Sequence, residues 1–546
     1  MHRGQGVWKH LALLVVGALL YTLAFPPYSV PGAAWIALTP LFLLLYTSSA
    51  KQAFLIGFLF GVLWCVGVGY WVYFTVSGSF SIPFPASLFF ILANYAFFAG
   101  LPAGVVTLFS SLLLQRGTTW PRMFGIPALW VSGEFLRANS IFGVSWGILG
   151  YTQYQYPTLI QIADVASVYS ISFLLALGSY AAAEIIQSIR GQETGDKKVA
   201  SQTSNVKRSD TRSLIDSGLL PLPWSTLGLF AVGLAVTLSY GTLRVRQYTF
   251  PPDVPPLHVA MVQGDIPTEQ RWHPAYYATT LLKYASVTTQ GITDTPPDLV
   301  VWPEFAVNFY LDKEQLLASQ LGQFARMANT ALLVGAPRLE ETDITTHYYN
   351  SAYLFSSTGV LVDVYDKMRL VPFAEYRPLA FLPALLPQSA EAPSEFTSGK
   401  RATLFALPRG TFGVTICYEA AYPTLSRQLV HDGAHLLVNI SNDTWLGGAA
   451  AAVGQHFAMA VLRAVETKRY LVRTATAGIS SFVDPLGHSY HRSTAAEAVV
   501  RGEVFPLSEL TLYARYGDWF AVVCLLSSLI IVILAIGKPT TAEQDT

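Results

Sequence analysis

Three polar side chains, each placed where an apolar, strand-like run gives way to a loop, carry the chemistry that this 546-residue sequence suggests. Cys417 closes the run Gly413-Val414-Thr415-Ile416-Cys417-Tyr418-Glu419 and is the only cysteine outside the apolar helices. Standing alone there, it reads as a nucleophile rather than as half of a disulfide. Glu304 ends Val300-Val301-Trp302-Pro303-Glu304, and Lys367 ends Tyr365-Asp366-Lys367. Acyl transfer needs a thiolate, a proton acceptor and positive charge where the tetrahedral oxyanion develops, and Cys417, Glu304 and Lys367 supply these in turn. A free thiol titrates near about 8.5, so a neighbouring ammonium favours the thiolate, while a desolvated carboxylate is raised into a range suited to proton shuttling. The Tyr418 backbone N–H is a further candidate oxyanion donor.

These residues must be held by a chain that is mostly apolar. Hydrophobic residues make up 52% and charged residues 12%, with a mean hydropathy of +0.40, which excludes an ordinary soluble enzyme. The formal net charge is +0, so no global field points to nucleic acid or an acidic partner. Stretches of about 20 apolar residues predict membrane spans; they fall near 8–25, 32–48, 52–76, 86–115, 123–138, 161–188, 224–243 and 517–537. The 123–138 span carries Glu134 and Arg137. Arg3, Lys9, Lys51, Arg116, Arg122 and Lys538 lie in alternate connections, as do the basic residues of the polar stretch 189–220, whereas 26–31, 77–85 and 139–160 contain no Lys or Arg. The positive-inside rule then puts both termini and a flexible loop, 189–220, in the cytoplasm, and 245–515 on the opposite side. Phe25-Pro26-Pro27 is no small-residue cleavage site, so the first span reads as a retained anchor.

From 257 to 505 short β-rich runs alternate with amphipathic ones, predicting a layered α/β domain. Strands are expected at 257–263, 299–302, 331–335, 351–355, 413–416, 436–440 and 479–483, and helices near 275–289, 312–329, 420–431 and 455–468. Cys65 and Cys524 fall inside predicted spans and read as packing residues, leaving no structural disulfide. His431 and His435 have a metal-pair spacing, but Gly433 between them weakens a helix and no third ligand is evident, so a structural role is favoured. Asn439-Ile440-Ser441 and Asn442-Asp443-Thr444 fit glycosylation patterns, and at a strand end they read as shaping a loop beside the site.

Glu304 in VVWPE, Lys367 in YDKMRLVPFAEYRP and Cys417 in ICYEAAYP stand in the chain order of the Glu-Lys-Cys triad of the nitrilase (carbon–nitrogen hydrolase) superfamily, which this region resembles. Joined to a multi-span bundle, and with SWGILGYTQYQYPTLIQIADVASVYSISFL and NISNDTWLGG, the chain resembles the bacterial apolipoprotein N-acyltransferase family over almost its whole length. The resemblance implies a four-layer αββα sandwich on a base of about eight transmembrane helices. It implies a ping-pong transfer, in which an acyl chain passes from a phospholipid, typically phosphatidylethanolamine, to the cysteine as a thioester. The chain then moves to the α-amine of a diacylglyceryl-cysteine lipoprotein. It further implies a bacterial inner-membrane location with a periplasmic catalytic domain, no cofactor or metal, and a monomer. Glu375 matches a second glutamate that orients the lysine or cysteine, Tyr418 and Glu419 match the positions after the nucleophile, and Trp272 in QGDIPTEQRW matches a tryptophan on an arm at the substrate entrance.

Plainer readings stand beside these: Glu375 and Glu419 as ion-pair partners of Arg369 or Arg377, and Trp272 as an anchoring aromatic at the membrane interface. Ala374 replaces an expected glycine, Asp265 an expected asparagine, and Ala166, Ser167 and Ser170 stand in a usually glycine-richer membrane motif, which touches local backbone shape but no reacting group. The expected division is a seven-helix bundle over 1–244, a catalytic domain over 245–515, and a final helix and tail over 516–546. The rival functions are a membrane-bound amidase or hydrolase that delivers the thioester to water, and a transporter with an accessory domain. The second is disfavoured because Glu134, Asp164, Glu184 and Asp518 fall near span ends.

Overall fold

The computed structural model describes residues 2–79, 84–140, 143–202, 223–248, 253–267, 270, 272–292, 295–372, 374–376, 395–446 and 449–537. Among the described residues, five helices are long and apolar enough to cross a membrane: Ala50–Val68, Phe84–Arg116, Ala163–Arg190, Trp224–Gln247 and Trp519–Ile536. They mark a membrane protein. Trp8–Ala24 is a shorter apolar helix, and the expected 32–48 span is two short helices, Pro31–Ala34 and Thr39–Leu45. Thr119–Ala138 occupies the expected 123–138 span but is amphipathic, and its charges point into protein: Glu134 accepts from Trp130 Nε1 at 3.0 Å and from Leu149 N at 2.8 Å, while Arg137 donates to the Trp146 carbonyl. The expected loop at 189–220 begins later than the sequence indicates, because the helix Ala163–Gln202 continues through its first part. Residues 203–220 of that expectation lie outside the described residues.

Twelve strands form two six-stranded sheets: β1 (Leu257–Gly264), β2 (Leu299–Val301), β3 (Ala331–Glu341), β4 (Thr346–Phe355), β5 (Leu361–Asp366), β6 (Leu404–Leu407), β7 (Gly410–Ile416), β8 (Leu436–Ser441), β9 (Leu471–Ala475), β10 (Ser480–Val483), β11 (Ser489–Ser493) and β12 (Glu497–Val504). The orders are β12-β1-β2-β3-β4-β5 and β11-β10-β9-β8-β7-β6. Each sheet has a parallel centre, β1-β2-β3 or β7-β8-β9, flanked by antiparallel strands. The inner faces meet through Val259, Met261, Leu333, Val414, Val438 and Val472. Helices Tyr277–Gly291 and Gln315–Met327 cover the outer face of the first sheet, and Pro423–His431 and Ala450–Thr467 that of the second, giving four layers, α/β/β/α. The parallel centre strands are buried on both faces, which explains their continuous apolar runs.

The second sheet's helical layer is itself buried against the membrane helices. Ala450–Thr467 is buried on almost every side because one side meets the sheet through Ala460 and Ala464 while Met459, Leu462 and Val465 join the bundle core. Polar ties fix the orientation. Ser167, at φ +61°, interrupts the helix that begins at Ala163, and Glu466 Oε1 accepts from Ser167 Oγ and the Val168 N–H, both at 3.0 Å, capping the resumed helix. Lys468 lies 3.5 Å from Asp164, which also pairs with Arg244 at 3.1 Å.

Candidate active site

Each expected catalytic side chain leaves the end of a strand. Glu304 follows β2 beneath β3, where Gly335 permits the approach: a Cβ there would meet the Pro303 carbonyl and lie 2.7 Å from Glu304 Cα. Lys367 follows β5, with its N–H on the Asn350 carbonyl of β4 at 2.8 Å. Cys417 follows β7 in the left-handed region at φ +52°, a strained turn that aims the sulfur away from the strand axis. Its carbonyl accepts from His456 Nε2 at 2.9 Å.

The polar side chains converge in a buried cluster. Lys367 is 1% exposed and donates to Glu375 Oε1 at 2.8 Å and Glu304 Oε1 at 3.3 Å. Asn350 Nδ2 bridges the same two carboxylates at 2.7 and 3.0 Å, and the Asn442 N–H donates to Glu304 Oε2 at 2.7 Å. The Cys417 thiol points to the Asn442 carbonyl at 3.9 Å. Burial and the Glu304 charge push that thiol up to about 12, against the pull of the Lys367 ammonium. Lys367 is raised as well: burial disfavours its charge, but Glu304, Glu375 and Cys417 together hold its ammonium well above the usual lysine range. Both shifts favour a neutral thiol near a charged ammonium, so attack by this sulfur would be coupled to loss of its proton.

Glu419 ties the lysine loop to the cysteine turn. Its Oε1 accepts from Met368 N at 2.7 Å and Arg369 N at 2.9 Å, its Oε2 from Ile416 N at 2.7 Å, and Tyr365 OH lies 2.9 Å from both oxygens. Burial raises its carboxyl to about 7 in spite of the Ile416 and Arg369 N–H groups. The partner is thus the Arg369 backbone and not its guanidinium. Glu375 Oε2 likewise accepts the Val371 N–H at 2.8 Å, which curls the stretch after Lys367 back on itself. Arg377 lies outside the described residues. The Tyr418 ring stacks on Trp146 at 5.5 Å and 14°, and its hydroxyl donates to the Gly143 carbonyl at 2.9 Å. Trp272 is half-buried at φ +63°, its ring 5.2 Å from that of Phe305, the neighbour of Glu304. Behind Tyr418 and Ala374 a cavity of about 220 Å³ runs into the membrane helices between Trp64, Val68, Ile91 and Ala99.

The family model for the apolipoprotein N-acyltransferase N-terminal domain matches residues 17–181, and that for carbon–nitrogen hydrolase matches residues 258–504. An apolipoprotein N-acyltransferase of Geobacter metallireducens is 33% identical over 97% of this chain and 96% of its own. The chain belongs to the apolipoprotein N-acyltransferase family. Members from Pseudomonas putida, 30% identical over 95% of both chains, and Azotobacter vinelandii, 32% identical over 93% of this chain and 92% of theirs, carry the same description. A solved Saccharomyces cerevisiae member of branch 10 of the nitrilase superfamily covers 46% of this chain and 90% of its own at 22% identity, with a TM-score of 0.35. The protein is accordingly an acyltransferase enzyme of the carbon–nitrogen hydrolase superfamily, as the sequence suggests.

In this acyltransferase several site residues escaped the sequence reading. Asn350 was hidden inside β4, where nothing marks one asparagine in Tyr-Tyr-Asn-Ser-Ala as facing two carboxylates. Asp443, noticed only as a loop former, accepts from Ser441 Oγ at 2.8 Å and Arg473 NH2 at 2.9 Å, and lies 3.1 Å from His456 Nδ1. Burial would raise its carboxyl, but Arg473 and His456 hold it down to about 2. One ligand atom each from Cys417, Asp443 and His456 lies within 4.8 Å of the others. Asp443 and His456 are already committed to Arg473, Ser441 and the Cys417 carbonyl, so the cluster is a hydrogen-bonded support under the Cys417 turn. The other histidines weighed for metal binding have their own partners: His435 Nδ1 accepts the Thr411 N–H at 3.2 Å, and His431 lies 3.6 Å from Asp432.

Proposed function

We propose that Cys417 is the nucleophile, Glu304 the proton shuttle and Lys367 the oxyanion cation of a two-step transfer from a phospholipid to a diacylated lipoprotein. Carrying this reading is the observation that one buried lysine sits between two carboxylates in the same cluster as a buried cysteine, next to an apolar cavity that Val371, Ala374 and Tyr418 line. As Sγ attacks the donor ester carbonyl, its proton passes to Glu304, and the oxyanion forms against Lys367 and the Tyr418 N–H. The ester C–O bond then breaks, Glu304 protonates the leaving alkoxide, and a lysophospholipid departs from the thioester. In the second step the neutral α-amine of the diacylglyceryl-cysteine attacks the thioester carbonyl and gives a proton to Glu304. The C–S bond breaks, the sulfur recovers its proton, and an amide remains. Glu375 and Glu419 are positioning residues for Lys367 and Cys417, and Trp272 guards the approach beside Phe305.

A thioester lasts until the amine arrives only where water is excluded, and the apolar cavity and the Tyr418–Trp146 stack supply that exclusion. The membrane arrangement follows: about eight spans counting the shorter helices, both termini cytoplasmic, the region 245–515 on the periplasmic side of a bacterial inner membrane, the bundle over 1–244, the last helix and tail over 516–546, and a monomer meeting two lipid-anchored substrates in the membrane plane. Incubating detergent-purified protein with acyl-labelled phospholipid tests the reading. The parent should carry a hydroxylamine-sensitive adduct that a diacylated lipopeptide discharges, whereas Cys417→Ser should carry none. Label appearing as free fatty acid while the lipopeptide stays unmodified would make the enzyme a hydrolase instead.

A further inference from the structure

The stretch after Lys367 separates two cavities of opposite character. Val371, Pro372 and Ala374 line the apolar one. Met368, Arg369, Leu370 and Tyr376 line the other, a polar cavity of about 370 Å³ completed by Asn139, Ser140, Gly143, Ser398, Tyr422 and Thr424 among others. Arg369 is the one charged residue among those described as lining it, and no carboxylate does so. Among the described residues, no Asp or Glu forms an ion pair with the Arg369 guanidinium. The side chain is nevertheless held in place: its backbone N–H is bound by Glu419, and the guanidinium carbon lies 5.6 Å from the centroid of the Tyr422 ring.

A donor ester at Cys417 has two ends that differ in the same way as the cavities. Its acyl chain is apolar, and its glycerol carries a phosphate anion a few bonds from the reacting carbonyl. Asn139 and Ser140, which directly follow the helix Thr119–Ala138, line the polar cavity, and in the membrane arrangement proposed above the end of a bundle helix is where a lipid phosphate would be met. A lone guanidinium there favours an anion, and it would repel the ammonium form of the acceptor's α-amine.

We propose that Arg369 binds the phosphate of the donor phospholipid in this cavity while the acyl chain fills the apolar one, so that the phosphate, and not the alcohol attached to it, selects the donor. The inference rests on the phospholipid reading above. Its test compares acyl-enzyme formation by the full-length protein from phosphatidylethanolamine, phosphatidylglycerol and phosphate-free diacylglycerol of the same chains. The parent should prefer both phospholipids over diacylglycerol, and Arg369→Gln should cut that preference by about 10- to 100-fold, chiefly through KM. Arg369→Lys should restore part of it, and the diacylglycerol reaction monitors folding in each variant. A parent without preference for the phosphate, a ratio unchanged in Arg369→Gln, or a defect confined to transfer onto a lipopeptide would overturn the proposal, the last assigning the cavity to the peptide. A parent labelled by none of the three lipids would instead bring down the phospholipid reading itself.

Discussion

Glu419→Gln isolates the tie between the lysine loop and the cysteine turn. The carboxylate offers one oxygen to the Met368 and Arg369 N–H groups and the other to the Ile416 N–H, with Tyr365 reaching both. Glutamine has a single oxygen. If that oxygen keeps Met368 and Arg369, the amide NH2 faces the Ile416 N–H across a 2.7 Å gap, donor against donor. One charge-assisted bond is lost with a buried donor left unpaired, at about 1.5–3 kcal/mol, and the two surviving bonds weaken to neutral ones at about 0.5–1 kcal/mol each, so the total is about 2.5–5 kcal/mol. The opposite amide orientation is worse, because it strands two donors. A shift of about 1 Å in the neighbouring Lys367 would slow acylation about 100-fold. The assay is single-turnover acylation by labelled phospholipid in detergent, beside thermal unfolding of the same samples. Since burial raises this carboxyl to about 7, the parental rate should fall as pH drops through that value and the tie is protonated, while the variant's rate stays flat there. A variant that melts with the parent and acylates at the parental rate above pH 8 would refute the argument.

Asp443→Asn should destabilise the protein by about 3–5 kcal/mol at neutral pH, because Arg473 stays buried without its anion. The Asp443 carboxyl is depressed from 3.8 to about 2 on folding, so its contribution is complete above 3.8 and disappears as pH falls towards 2. Acid titration of stability should therefore show a loss of about 2 kcal/mol over that window in the parent and none from this site in the variant. Gly335→Ala forces a Cβ against the Pro303–Glu304 backbone and should depress acylation far more than it depresses unfolding temperature, at least about 100-fold by displacement of Glu304. Val68→Trp, filling the apolar cavity, should slow long-chain donors at least about tenfold more than short-chain ones in competition assays, and equal slowing would remove the cavity from acyl binding.

The clustered Cys417, Glu304 and Lys367 were legible as candidates because strand ends deliver side chains to loops, and a lone Cys, Glu or Lys after an apolar run is locally conspicuous. Most membrane helices were legible because hydropathy acts along a single helix. The strands at 361–366, 404–407, 471–475, 489–493 and 497–504 escaped notice for a different reason. Arg473 interrupts the apolar run of β9 and reads as exposed until Asp443 supplies its counter-charge from another strand end. The alternation in Glu497–Val504 acquires meaning when that strand returns to pair with β1, register Val262 against Val499. Glu134 and Arg137 belong to the same class, since charges on a buried helix are tolerable once Trp130, Trp146 and Leu149 satisfy them.

By itself the sequence determined which side chains to propose as reacting groups, that the chain is a membrane protein, and that its second half is a layered α/β unit, because residue chemistry and hydrophobic period are local properties. Tertiary structure decided that Asn350 bridges both carboxylates, that Glu419 holds backbone rather than a guanidinium, and that Glu466 docks the catalytic layer onto a broken membrane helix. Each of these depends on hydrogen bonds between segments tens to hundreds of residues apart, where desolvation makes the partner's position, and not the residue's type, set the energy.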